Sequence, residues 1–184
     1  MAVQERKAES SLDRYIAEVR AAWGDGKDPR LPYTVRALME RLFASTSPDD
    51  PWMAELIRDG KPSRELYRDP EMGFIQMGHI HKQGHGNKPH DHGPCWVVYG
   101  SFQGVTEITK YKRTDDGTQE GVAQLERERL DRLTPGVCVP YLPGDIHSTN
   151  AVEGPGVVFR FLSYDLEKIE RYRYNPEKGT VLKV

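Results

Sequence analysis

The stretch KPHDHGPCWVVYG, residues 88–100, sets His90 and His92 one residue apart, directly ahead of an apolar run. In a strand, alternate side chains face the same way, so two imidazoles at this spacing can reach one metal ion. All six histidines lie beyond the first third of the chain: His79, His81, His85, His90, His92 and His147. The last follows Pro143-Gly144-Asp145-Ile146, which reads as a turn and the start of a strand. The simplest assembly takes His90 and His92 from one strand and His147 from a distant strand brought alongside. His79 and His81 repeat the same spacing. They could be the ligating pair, or they lie on a neighbouring strand with His81 facing the cavity and supporting the ligands through hydrogen bonds. His85 falls in a loop. Asp91 and Asp145 are placed to shape turns or orient imidazoles, and Glu107 is a less favoured fourth ligand.

Two kinds of element must position these groups. In SSLDRYIAEVRAAW, Leu12, Tyr15, Ile16, Val19, Ala22 and Trp23 recur at helical spacing and form one buried stripe. A second helix starts near Pro32, with Val35, Leu38, Met39, Leu42 and Phe43 on its apolar face. SPDDPWMAELIRDG gives a third, with Asp50 as N-cap, Pro51 in the first turn and Gly60 as the stop. From about Leu66 the texture changes. GFIQMGHIHK, CWVVYG, GVTEITKYKR, GVCVPYL, HSTNAV, GVVFRFLSY and GTVLKV read as short strands separated by turn residues. ERERLDRL fits an outward strand or a short helix equally well. Many short strands at even spacing indicate an antiparallel barrel or sandwich.

Composition narrows the field. The chain has 184 residues and a formal net charge of −2, with both signs interspersed. No basic block calls for nucleic acid, and no apolar run approaches membrane-spanning length. MAVQERKAESS lacks the apolar core of a signal peptide. Cys95 and Cys138 give no disulfide framework. The expectation is a soluble cytoplasmic protein with reduced thiols that handles a small molecule.

GHGNKPHDH followed by PGDIH resembles the two signature motifs of the cupins, over roughly residues 66–165. The resemblance implies a mainly β fold, the cupin double-stranded β-helix or jelly-roll barrel, with a helical N-terminal extension. It implies one domain over residues 1–184, a helical layer at 1–62 and a barrel at 63–184. The metal would sit on His90, His92 and His147. Cupins commonly add a glutamate a few residues after the second histidine. Here no acidic residue separates His92 from Gly104, and Trp96 and Val97 occupy that position. Three neutral ligands favour an anionic chelating substrate. Iron(II) is the expected metal, and nickel, zinc, copper or manganese suit imidazole ligation as well.

Among cupins, ELYRDPEMGFIQMGHIHKQGHGNKPHDH is similar to the segment leading into the first motif of the cysteine dioxygenase type. That likeness implies that Arg68, after Tyr67, clamps the substrate carboxylate, a role suited to a planar guanidinium. Two departures stand out. Cys95 comes three residues after His92 rather than five, and in VVFRFLSY Arg160 stands where that family places a histidine. Cys95, Trp96 and Tyr141 are placed to line or support the pocket. The implied activity is oxidation of a small thiol carboxylate to its sulfinate by dioxygen. The alternatives are cleavage of a diketone or hydroxyketone, which predicts an apolar pocket, and a non-catalytic metal- or ligand-binding sensor. A homodimer through exposed strand edges stays open.

Overall fold

The computed structural model describes residues 9–184. Three helices come first: α1 (Ser11–Trp23), α2 (Leu31–Ala44) and α3 (Pro51–Asp59). Ser10 caps α1 in a reciprocal box with Asp13, which satisfies the first free backbone donors. Asp50 precedes α3 as expected, but its carboxylate accepts from the Ser47 amide and makes no capping bond into the helix. Gly60 ends α3 in the left-handed conformation.

Nine strands follow among the described residues: β1 (Arg64–Arg68), β2 (Ile75–His81), β3 (Gly86–His90), β4 (Val97–Arg113), β5 (Leu125–Leu133), β6 (Cys138–Tyr141), β7 (Ile146–Leu162), β8 (Tyr172–Asn175) and β9 (Thr180–Lys183). All pairings are antiparallel. ERERLDRL resolves as strand β5, with largely exposed side chains.

β4 and β7 form the spine. Each replaces two of the shorter strands expected from the sequence, and they pair from Val97↔Leu162 to Tyr111↔Ile146. The register shifts between Ser101 and Thr106. Such bulges bend a long ladder, so its two halves meet different partners. One half carries β2 on β7 and β6 on β4; the other carries β3 on β7 and β5 on β4.

Strand alternation sorts the core into two faces. Trp96, Val98, Val157, Phe159 and Phe161 pack with the helix stripes of Tyr15, Val19, Trp23, Val35 and Met39. Ile75, Val97, Tyr99, Ile108, Tyr141, Val158 and Leu162 form a separate interior cluster. Gly100 lets α2 approach the sheet closely: a Cβ there would lie 2.5 Å from Cys138 Sγ and 2.7 Å from Phe43. The Tyr15 hydroxyl of α1 donates to Gln76 of β2, at 2.9 Å in full burial. The result is the expected mainly β structure with a helical layer on one face.

Candidate metal centre

His90 is the last residue of β3, and His92 lies beyond it in the connection to β4. The two imidazoles therefore do not share a strand face, as the sequence spacing suggests. The chain leaves the ladder after His90, and the rings stand edge-on at 86°, with centroids 5.0 Å apart. Asp91 holds this departure. It is buried and accepts from the Gly93 amide, the Tyr172 amide and the Tyr174 hydroxyl at 3.0, 3.1 and 2.7 Å. His147, the second residue of β7, faces His90 directly in register. Asp145 shapes its turn, accepting from the Leu142 amide and pairing with Lys110 at 2.9 Å.

The three imidazoles each offer one nitrogen within 4.8 Å of the others. No other group of three or more such side chains among the described residues could hold an ion. His90 Nδ1 lies 2.8 Å from the Lys88 carbonyl and His147 Nδ1 lies 3.3 Å from the Asp145 carbonyl. A carbonyl only accepts, so each Nδ1 carries the proton and each Nε2 presents a lone pair. Burial is the largest influence on all three and lowers their pKa values. Neutral, oriented imidazoles in a closed space fit a divalent ion.

Tyr99, which the sequence analysis did not assign to the site, borders this centre. Its hydroxyl lies 3.2 Å from His92 Nε2 and 3.3 Å from His147 Nε2. Burial pushes the phenol pKa up, and the neighbouring Arg160 guanidinium pulls the other way.

Arg160 is the second residue that the sequence reading left unassigned. It pairs in register with Tyr99 and with Met77. It borders a cavity of about 370 Å³ together with His90 and His92. It also borders an adjoining cavity of about 260 Å³ with His79, His81, His85 and Tyr99. Its Nε is buried without a hydrogen-bond partner. Lys88, Arg171 and Arg173 line the first cavity too. None of these four cations forms an ion pair among the described residues. The signal in the sequence was a lone charge inside the apolar run of β7.

The structure does not bring Arg68 to the histidines. Its guanidinium is partly exposed and occupied by Glu65 at 2.7 Å and Asp165 at 2.6 Å. Trp96 is also away from the cavity. Strand alternation turns it to the helix side, where it stacks on Phe161 at 5.3 Å. Cys95 is buried beside Ser163 and the Tyr164 carbonyl, and burial raises its thiol pKa. Tyr141 does reach the centre. Its ring lies 4.6 Å from that of His147, while its hydroxyl donates to Asp131 at 2.6 Å. His81 lines the adjoining cavity but makes no hydrogen bond to the three-histidine group. His79 lies beside it, with Nδ1 donating to the Pro62 carbonyl and Nε2 unpartnered. Glu107 is taken by Arg132 at 2.8 Å. No helix among the described residues is long and apolar enough to cross a membrane.

No protein-family model matches the chain, and comparison with curated proteins finds no match. Solved structures with related folds include KdgF from Halomonas sp., at 18% identity and TM-score 0.41 over 54% of this chain and 76% of that one. The cupin domain of Schizosaccharomyces pombe Cnp3 aligns at 11% identity and TM-score 0.43, over 58% of this chain and 62% of that one. The protein BH2720 from Bacillus halodurans aligns at 11% identity and TM-score 0.48, over 70% and 82%.

Proposed function

We propose that this chain is a metal-dependent cupin that oxidises a small thiol carboxylate to its sulfinate with dioxygen, at an iron(II) ion held by His90, His92 and His147. The observation that carries the anionic substrate is Arg160, a guanidinium without an acidic partner that borders the same cavity as His90 and His92. Bound iron would supply activation of dioxygen and a seat for the thiolate. Both atoms of dioxygen end on sulfur, so the overall conversion needs no further reductant.

The chain's own residues do the rest. Arg160 pairs with the substrate carboxylate, by the two-pronged geometry that suits a guanidinium. Lys88, Arg171 and Arg173 at the mouth draw anions in. Lys88 and Asp145 backbone carbonyls hold the imidazoles of His90 and His147 in one tautomer. Diketone cleavage calls for an apolar pocket, and this cavity is lined by charged groups. The clamp assigned to Arg68 by resemblance passes to Arg160 in this reading.

The test is oxygen uptake by iron(II)-loaded protein with cysteine, 3-mercaptopropionate, cysteamine and a β-diketone. Arg160→Met should lower kcat/KM for 3-mercaptopropionate by about 10- to 150-fold, the loss of one charge-assisted pair of roughly 1.5–3 kcal/mol. Cysteamine, which has no carboxylate, should change little, and Arg68→Ala should leave both substrates unaffected. Uptake with the diketone alone, or equal losses on both thiols in Arg160→Met, would refute the reading.

A further inference from the structure

We propose that Tyr99 is a fourth protein ligand of the metal, its phenol oxygen taking the place that an acidic side chain would otherwise fill. This rests on the reading that the three histidines hold the ion. Ligands at adjacent positions around an ion with bonds of about 2.1 Å stand about 3.0 Å apart in octahedral geometry and about 3.4 Å apart in tetrahedral geometry. The Tyr99 oxygen lies 3.2 Å from His92 Nε2 and 3.3 Å from His147 Nε2, inside that window for both.

The two histidines differ in how their tautomers are held, because His92 Nδ1 has no hydrogen-bond partner among the described residues. His147 carries its proton on Nδ1, toward the Asp145 carbonyl, so its Nε2 can only accept. Without a metal the phenol can donate to His147 Nε2 and accept from His92 Nε2–H, and a cation would replace both bonds by drawing the two nitrogen lone pairs and the oxygen to itself. With His92 in its Nδ1–H form, its Nε2 and that of His147 both lie within 3.3 Å of the phenol oxygen, and a cation held by the three histidines can take that oxygen as well. The ring itself is fixed. Tyr99 is 5% exposed and packs edge-on against Tyr141 and His147, with centroids 5.9 and 5.4 Å away. No carboxylate competes for the position, because Trp96 points to the helices and Glu107 is bound to Arg132. Arg160, in register with Tyr99, supplies a positive charge beside the oxygen. An octahedral ion with these four ligands keeps two positions, enough for a thiolate and dioxygen.

The readout is optical and needs no substrate. The full chain is loaded anaerobically with one equivalent of iron(II), its iron content is measured, and the ion is oxidised to iron(III) with ferricyanide. A ferric ion takes the phenol as phenolate, the proton passing to buffer, and the pair absorbs in the visible with tyrosine ring vibrations enhanced in resonance Raman. Wild type and Tyr141→Phe should show this band, and Tyr99→Phe should bind iron without it. Loss of both iron and band in Tyr99→Phe alone would support the same assignment. Iron-loaded wild type without the band, or a band that survives in Tyr99→Phe, overturns the fourth ligand and leaves the histidine site standing. Wild type that binds no iron overturns both.

Discussion

His79 offers a direct measure of how strongly the barrel interior excludes charge. Its ring is 8% exposed, and burial, reinforced by Arg160 and His81, pushes its pKa down to about 3. In the unfolded chain a histidine titrates near 6.5. A folded-state value below the unfolded one means that folding is favoured above pH 6.5. That contribution is lost as pH falls, because the unfolded chain takes up a proton that the native state refuses. Between pH 7 and about pH 5.5 the loss from one such histidine is about 1.3 kcal/mol. A folded value of 3 or of 4 gives nearly the same result, since either lies well below the working range.

His79→Asn isolates this contribution. The asparagine amide can still donate to the Pro62 carbonyl, as His79 Nδ1 does at 3.1 Å, but it does not titrate. Urea unfolding of metal-free wild type and variant at the two pH values gives four stabilities. Wild type should lose about 1.3 kcal/mol more than the variant on acidification. The other suppressed histidines and the carboxylates act in both proteins and cancel. If the two proteins lose the same stability, His79 is protonated in the fold and the interior is wetter than the geometry implies.

Two further substitutions probe the frame of the site. Asp91→Ala leaves the Gly93 and Tyr172 amides and the Tyr174 hydroxyl without their acceptor. It should cost about 3 kcal/mol, since a stranded donor costs roughly 1–3 kcal/mol when buried, as the Tyr174 hydroxyl is, and less at the more open Gly93 and Tyr172 amides. Hydrogen exchange across residues 172–175 should quicken, and a loss under about 1 kcal/mol would show that water replaces the carboxylate. Gly100→Ala should destabilise by about 1–3 kcal/mol by crowding Cys138 and Phe43, and by less in a Cys138→Ala background. Equal penalties in both backgrounds would place the strain elsewhere.

The helices were legible because each buries one stripe against one surface, and that demand writes a 3.6-residue period into the chain. β1, β3 and β8 were not. GNKPH and YRYN hold their place by backbone pairing and by Asp91, and neither needs an apolar pattern. β4 and β7 were read as four strands because Gly104 and the Gly154-Pro155-Gly156 run look like interruptions. In the fold these are places where a continuous ladder shifts register and bends. His90, His92 and His147 were legible as a group from their spacing and the turn residues around them, although the shared strand face expected of His90 and His92 was not the way they meet. Tyr99 was not legible, because an inward aromatic on a barrel strand looks the same in sequence whether it fills space or faces a ligand.

Arg160 shows why the helical layer matters to the site. On β7 its neighbours Phe159 and Phe161 pack outward, among Trp23, Phe43 and Trp96. Side chains on a strand alternate, so the helices that bury those two phenylalanines also force Arg160 inward. A slip of one residue would put a guanidinium against the helices and a phenyl ring beside the histidines. The same alternation on β4 sets Tyr99 inward between Val98 and Gly100, at the level of Arg160. Neither residue is placed by a local motif. Both are placed by the apolar face on the far side of the sheet, so the stripes that read most plainly as packing also aim the two groups that face the cavity.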